Sequence, residues 1–267
     1  MSRVFLDYDQ AALDAQYDQR IWAPNAEAVI AGYARASDAV RARIGEPRTE
    51  RYGPSAAEEL DLYGAGECAF VFVHGGAWTR HTKRASASAA ETILAAGAAY
   101  VALGFGLAPA VTLEEMVAQV CRGLEWTRSN VAPELVLCGH SSGAHLAACA
   151  LVRGAPARSA LLVSGIYDLA PVRLSARNAY LRLDERAEQA LSPMRHAGRI
   201  RCPVTVAWGE QESPEFARQS REFAAALAAP VLVAAGRNHF EAIEELADAR
   251  SPLARAALAQ LEQAAQP

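Results

Sequence analysis

The sequence predicts an α/β protein with a mostly parallel central sheet, helices on both faces of the sheet and a small cap segment. Six short apolar runs alternate with longer segments of helical periodicity, which is the pattern of parallel strands joined by crossover helices. With 267 residues, 52% of them hydrophobic, the chain can bury one substantial core. We therefore predict a single domain over residues 1–267.

The six apolar runs are the predicted strands, because a short unbroken apolar run suits a strand that is buried on both faces. They are Cys68–Val73, Ala99–Leu103, Leu135–Cys138, Ser159–Val163, Val204–Trp208 and Val231–Ala234. Apolar residues recur at helical spacing between and after these runs, which predicts five helices. The predicted helices lie near 85–97, 112–129, 143–153, 214–228 and 241–263.

Three segments stand outside this alternation. Residues 8–45 are rich in alanine with apolar positions at helical spacing, which predicts a helical N-terminal arm in which Pro24 opens a second helix. Glu59–Tyr63 alternates polar and apolar residues and is followed by the turn Gly64–Gly66, which predicts an early hairpin. Residues 170–200 are polar and irregular, so we predict that they form a cap over the strand ends.

Charge and cysteine content narrow the class of function. The 26 basic and 30 acidic side chains give a net charge of −4 without a long run of either sign, so neither nucleic acid nor a membrane is an expected partner. The N-terminus lacks the apolar stretch of a signal peptide, so we expect a cytoplasmic enzyme that acts on a small-molecule substrate. The five cysteines are scattered without metal-ligand spacing, and we expect neither a metal nor another cofactor. The oligomeric state stays open, with a homodimer as one candidate.

A predicted strand, a G-x-S-x-G turn and a predicted helix follow one another between residues 135 and 153. The turn is Gly139–Gly143, with Ser141 at its centre. In this context the sharp turn strains the serine backbone and lifts its Oγ out of the sheet, and the helix N-terminus favours negative charge on a substrate. The segment therefore predicts a serine nucleophile in an α/β-hydrolase fold. The alternative is a tight turn with an incidental serine.

A glycine-rich loop, His74–Trp78, follows the first core strand. Two successive glycines, Gly75 and Gly76, let the backbone approach a substrate oxygen closely. The amides of Gly76 and Ala77 can then join the amide of Ser142 in an oxyanion hole. The loop is similar to the HGG loop of esterases.

Hydrolases with this serine turn place an acid and then a histidine after the serine in the chain. His239 follows the last predicted strand and can reach across the strand ends to Ser141, whereas the other histidines lack that placement. A carboxylate near the strand ends would orient the imidazole. Glu210 and Glu212 follow the fifth core strand, and Asp168 follows the fourth. Spacing alone does not decide between these three acids.

Five segments together carry a family resemblance. They are Tyr17–Arg20 with Pro24 shortly after, His74–Trp78, Gly139–Leu146, Ser164–Leu169 and Glu212–Ser220. In these segments the chain resembles the kynurenine formamidases (arylformamidases), a branch of the α/β hydrolases, whose motifs are Tyr-Asn-x-Arg…Pro, HGGxW, GHSAGAHL, SGxYDL and DSPEFxRQS. The resemblance spans most of the chain, and its last motif is the most discriminating.

The resemblance implies a triad of Ser141, Glu212 and His239, because the DSPEF motif has its catalytic aspartate at the position of Glu212. Glutamate is one methylene longer than aspartate, so this departure requires an adjusted loop or side-chain conformation. A second departure is Gly106, where many relatives have a tyrosine.

The reaction that the resemblance implies is hydrolysis of the N-formyl amide of N-formyl-L-kynurenine to kynurenine and formate, in tryptophan catabolism. Ser141 would form a formyl-enzyme with His239 as base. Trp78 and Tyr167 are the candidates for stacking on the substrate ring, with packing in the core as the alternative for each. The alternatives are a carboxylesterase for small acyl or aryl esters, a silent binding protein of the same fold, and a metal-dependent formamidase.

Overall fold

The computed structural model describes residues 2–266 and has one eight-stranded sheet at its centre. The strands are β1 (Arg48–Arg51), β2 (Glu59–Tyr63), β3 (Cys68–Val73), β4 (Ala99–Leu103), β5 (Glu134–His140), β6 (Ser159–Val163), β7 (Val204–Gly209) and β8 (Val231–Ala234). Their order is β1-β2-β4-β3-β5-β6-β7-β8. The first two strands run antiparallel to their neighbours, and all pairs from β4 to β8 are parallel. The predicted α/β class is confirmed.

Ten α-helices occur within residues 2–266. They are α1 (Gln10–Tyr17), α2 (Ala26–Ile44), α3 (Ala90–Ala95), α4 (Leu113–Asn130), α5 (Ser142–Val152), α6 (Ala170–Leu174), α7 (Asn178–Leu181), α8 (Glu185–Ala190), α9 (Pro214–Leu227) and α10 (Pro252–Ala264). Short 3-10 helices lie at Gln19–Ile21, Lys83–Ala85, Pro193–Arg199 and Ala242–Ala247. None of the helices in this part of the chain is long and apolar enough to cross a membrane.

Two separate cores cover the two faces of the sheet. Because successive side chains of a strand point to opposite faces, Val71 and Val73 of β3 join one core and Phe70 and Phe72 join the other. Helices α1, α4, α5 and α9 contribute to the first core, and α2, α3 and α10 contribute to the second. Burial on both sides therefore explains the unbroken apolar runs of β3 to β7, whereas the expectation is wrong for the edge strand β8, in which Val231 and Val233 are exposed.

The structure corrects three details of the predicted elements. The strand β2 pairs with β1, and β4 lies between β2 and β3, so the Gly64–Gly66 turn does not close a hairpin. The helix predicted at 241–263 is divided into the 3-10 helix Ala242–Ala247 and α10, since Pro252 can begin a helix but not continue one. The helix predicted at 85–97 is shorter, with α3 covering only Ala90–Ala95.

Candidate active site

The turn between β5 and α5 holds Ser141 in an unusual backbone conformation. Its φ of 55° and ψ of −123° lie outside the regions that non-glycine residues normally adopt. Gly143 makes the turn possible, because a Cβ at that position would stand 2.1 Å from the carbonyl oxygen of Val73. The amide of Ser141 donates to the carbonyl of Val163 at 2.9 Å, which ties the turn to β6. The strained serine turn that the sequence predicts is present.

Ser141, His239 and Glu212 form a continuous hydrogen-bonded chain. Nε2 of His239 lies 2.9 Å from Oγ of Ser141, and Nδ1 of His239 lies 3.0 Å from Oε2 of Glu212. A carboxylate can only accept hydrogen bonds, so Nδ1 carries the proton and Nε2 is free to accept from the serine hydroxyl. All three residues are at least nine-tenths buried. The arrangement suits proton transfer from Ser141 to His239.

The Glu212 carboxylate is fixed by two further donors. The amide of Gly209, at the end of β7, donates to Oε1 at 2.6 Å, and the hydroxyl of Ser164 donates to the same oxygen. Because both donors bind Oε1, the second oxygen, Oε2, is available for Nδ1 of His239. The longer glutamate is thus accommodated by anchoring its carboxylate to the ends of β6 and β7.

The two other candidate acids have different partners. Glu210 is exposed and its Oε2 accepts from the amide of Gly236 at 2.7 Å. Asp168 is partly buried and its Oδ1 accepts from the amide of Ala170 at 3.1 Å. Neither forms a hydrogen bond with His239, so Glu212 alone of the three candidates contacts the imidazole.

The loop after β3 lies beside the serine with unused backbone donors. Within the described chain, the amides of Gly76, Ala77 and Ser142 donate no hydrogen bond to another group of the protein. Gly76 has a φ of 109°, and a Cβ there would stand 2.1 Å from the carbonyl oxygen of Arg80, so only glycine fits. Gly75 is also confined, since its Cβ would lie 2.9 Å from the carbonyl oxygen of His140 and 3.0 Å from the Cβ of Ser141. Free amides next to a nucleophile can stabilise an oxyanion.

The structure corrects the expectation that Trp78 and Tyr167 contact substrate. Both side chains are fully buried in the core and neither lines the cavity at Ser141. The indole of Trp78 donates to Nδ1 of His145 at 3.3 Å, and the ring of Tyr167 stacks on Phe223 with centroids 4.1 Å apart. Trp78 instead supports the site, because its amide donates to Oγ of Ser142 at 3.1 Å and so fixes the glycine loop to the serine turn.

Three other histidines around the site are buried and neutral. Desolvation lowers the pKa of His74 to about 4 and that of His145 to about 4, and it holds the pKa of His140 well below its ordinary value. Nε2 of His140 lies 2.9 Å from the carbonyl oxygen of His239 and donates to it. These imidazoles therefore act as hydrogen-bonding core residues, and His140 fixes the backbone of His239.

A cavity of about 300 Å³ opens above Ser141 and His239. Its lining includes the glycine loop, residues 175–177 and Tyr180 of the predicted cap, and a part of the N-terminal arm that sequence reasoning did not assign to the site. The contributors from the arm are Asp14, Tyr17, Asp18, Gln19, Arg20, Ile30 and Tyr33. The Tyr17–Arg20 motif was the signal in the sequence that pointed to this wall. Gly106, the second departure from the family motifs, does not line the cavity.

The segment that most resembles the formamidases attaches the arm to the domain. Oε1 of Gln219 accepts from the amides of Tyr167 and Asp168 at 2.7 and 2.8 Å, and its Nε2 donates to the hydroxyl of Tyr17 at 3.0 Å. The hydroxyl of Ser213 donates to the carbonyl of Gln16 at 2.8 Å. Apart from Glu212, this motif therefore has a structural role, because it holds the arm where the arm can form the cavity wall.

Comparisons with known proteins identify the family. Residues 70–264 match the model of the alpha/beta hydrolase family. Kynurenine formamidase of Danio rerio is 31% identical over 88% of this chain and 91% of its own length. The chain belongs to the kynurenine formamidase family of α/β hydrolases. A second member of the family, kynurenine formamidase of Salmo salar, is 31% identical over 74% of this chain and 76% of its own length. As a member of this family the chain is a hydrolase.

Solved structures agree with this family. A proposed thioesterase from Silicibacter sp. TM1040 superposes with a TM-score of 0.85 at 28% identity, covering 91% of this chain and 97% of that one. An esterase of Pyrobaculum calidifontis superposes with a TM-score of 0.67 at 18% identity over 93% and 98% of the two chains, which shows the shared fold. This chain therefore shares its fold with solved thioesterase and esterase structures.

Proposed function

We propose that the protein hydrolyses the N-formyl amide of N-formyl-L-kynurenine, releasing formate and kynurenine. The observation that carries the proposal is the hydrogen-bonded chain from Ser141 through His239 to Glu212 at a cavity with free backbone amides, in a member of the formamidase family. The named activity of the relatives supports the choice of substrate, and the geometry supports each chemical role. In this function the enzyme takes part in tryptophan catabolism.

The first half of the reaction forms a formyl-enzyme. Oγ of Ser141 attacks the formyl carbon while Nε2 of His239 takes the hydroxyl proton. The amides of Gly76, Ala77 and Ser142 stabilise the oxyanion of the tetrahedral intermediate. His239 then gives its proton to the nitrogen of the departing arylamine as the C–N bond breaks. An arylamine is a better leaving group than an alkylamine, which suits an esterase-like site.

The second half returns the enzyme to its starting state. His239 takes a proton from water, whose oxygen attacks the formyl ester, and the same amides hold the second oxyanion. When the ester bond breaks, His239 returns the proton to Oγ of Ser141, and formate leaves. Throughout, the Glu212 carboxylate stabilises the imidazolium and keeps the imidazole oriented.

Steady-state kinetics with formylkynurenine test the proposal. We expect release of formate and kynurenine in equal amounts by the wild-type enzyme and no turnover by Ser141→Ala. Rapid cleavage of aryl acetates without cleavage of formylkynurenine would contradict the proposal and favour a carboxylesterase. Failure of Ser141 to react with a fluorophosphonate would instead favour a silent binding protein.

A metal-dependent reaction requires a separate control. Within residues 2–266, no group of three or more His, Cys, Asp or Glu side chains could hold a metal ion. We expect a chelator to leave formylkynurenine turnover unchanged, and a loss of activity that added metal restores would contradict the serine mechanism.

A further inference from the structure

Two arginine side chains in the cavity have no salt-bridge partner in the described chain. Five charged side chains line it, and two of them, Asp18 and Arg20, form an ion pair at 2.8 Å. The carboxylate of Asp14 accepts from the amide of Ala176 at 2.7 Å. The other two are Arg80 and Arg177, and neither forms a salt bridge with any residue between 2 and 266.

The guanidinium of Arg177 is held in place but keeps unused donors. It lies just before α7, and its Nη2 donates to the carbonyl of Tyr17. The guanidinium carbon stands 5.5 Å from the ring centroid of Tyr17 and 5.9 Å from that of Trp78, so the group rests on two aromatic rings. Its Nη1 is buried and has no hydrogen-bond partner in the described chain. Of the five N–H groups of the guanidinium, only one is therefore engaged.

This placement has a cost for the Arg177 guanidinium. Burial lowers the pKa of Arg177, while the nearby Tyr180, Tyr17 and Asp18 raise it and Arg80 lowers it. A desolvated guanidinium without a salt-bridge partner costs free energy, and an anion bound to its unused donors would recover part of that cost. Planar guanidinium groups match carboxylates, to which they donate two parallel hydrogen bonds.

Arg80 supplies the second charge, from the segment that follows the glycine loop. It follows the glycine loop, where its amide donates to the carbonyl of Gly76 at 3.1 Å, and its side chain is exposed. The cavity lining thus includes one arginine from the predicted cap, held by contacts with Tyr17 and Trp78, and a second, exposed arginine three residues after Ala77. An anionic group on the substrate would be drawn toward both.

We propose that Arg177, assisted by Arg80, binds a carboxylate on the leaving group and so selects acylated arylamines and aryl esters that carry a free carboxylate. The inference rests on the proposed function in that Ser141 is the nucleophile, and it deepens that function by defining the substrate class. N-formyl-L-kynurenine satisfies it through its amino-acid carboxylate, whereas simple aryl acetates do not.

Two pairs of substrates, each with and without a carboxylate, test the inference. The amide pair is N-formylkynurenine and 2-formamidoacetophenone, which keeps the formanilide and the ketone but lacks the amino-acid group. The ester pair is 3-(4-acetoxyphenyl)propanoate and its propanamide. We expect the wild-type enzyme to prefer the carboxylate in each pair by roughly 10- to 100-fold in kcat/KM, mostly through KM.

Substitution of the arginines identifies the group responsible. In Arg177→Met the preference should disappear for both pairs while kcat for the neutral substrates is retained, and Arg80→Met should reduce it by a smaller factor. The matched control is Arg199→Met, since Arg199 is also exposed to solvent and unpaired in the described chain but does not line the cavity. Arg80→Met and Arg199→Met alter exposed side chains, so they remain informative if Arg177→Met folds poorly.

The outcomes separate the two proposals. If formylkynurenine is not cleaved but the ester pair keeps its carboxylate preference in an Arg177-dependent way, the formamidase reaction is wrong and the carboxylate site stands. Equal kcat/KM within both pairs, or an equal loss on charged and neutral substrates in Arg177→Met and Arg80→Met, would overturn the carboxylate site.

Discussion

Glu212 and His239 are joined by a 3.0 Å hydrogen bond from Nδ1 to Oε2, while the other oxygen of the same carboxylate accepts from the end of β7. The carboxylate therefore has one oxygen for the backbone and one for the imidazole. This division explains how a glutamate can stand where the formamidase motif has an aspartate.

We expect Glu212→Gln to lower kcat by about 10⁴-fold with little change in KM, because an amide can place the imidazole in the wrong tautomer and cannot stabilise imidazolium. The kcat of Glu212→Asp should lie between those of Glu212→Gln and the wild type, since the shorter side chain withdraws the carboxylate from His239. Steady-state kinetics with formylkynurenine measure both. Glu210→Gln is the control, and a larger loss in that variant than in Glu212→Gln would contradict the assignment.

Gly76→Ala tests the glycine loop. The new Cβ would meet the carbonyl of Arg80 and force the loop out of its left-handed conformation, so the amides would no longer converge. Loss of an oxyanion donor costs about 2.7–4 kcal/mol, which predicts a fall in kcat of roughly 10²- to 10³-fold. Gly154→Ala is a matched control, because Gly154 also has a positive φ, of 80°, but has open space around it. Similar activity of the two variants would argue against the oxyanion role.

Gln219→Leu should detach the N-terminal arm. It leaves the amides of Tyr167 and Asp168 without their acceptor in a buried position, so we expect the free energy of unfolding to fall by roughly 2–4 kcal/mol. Urea unfolding measures this loss, and limited proteolysis should cut the arm first. Arg221→Gln, on an exposed position of the same helix, should do neither. If the N-terminal arm of Gln219→Leu resists proteolysis as well as that of the wild type, contacts other than those of Gln219 hold the arm in place.

The buried histidines should make stability fall in acid. His74 and His145 have an ordinary pKa of 6.5 when unfolded and a pKa of about 4 in the folded protein, so the unfolded chain binds protons first as the pH falls. Their contribution is complete above about pH 6.5 and decreases toward pH 4, by roughly 3 kcal/mol per imidazole. Urea unfolding should show a free energy of unfolding that decreases between pH 7 and pH 5. This decrease should be smaller in His145→Gln, and an unchanged decrease would show that the buried imidazole of His145 is not its cause.

Local patterns in the sequence predicted most of the strands and the candidate reacting residues. Strands β3 to β7 are buried and appear as unbroken apolar runs, and β8 is an apolar run at the edge of the sheet. The serine turn needs particular residues at particular spacings, and it predicted Ser141 and the place of His239 in the chain. All three candidate acids follow strands that end at the same edge, so the packed fold alone distinguished Glu212 from Glu210 and Asp168 by contact. It also moved Trp78 and Tyr167 into the core and brought the arm and Arg177 to the cavity. Burial and long-range contact depend on how distant segments pack, and no local pattern records that packing.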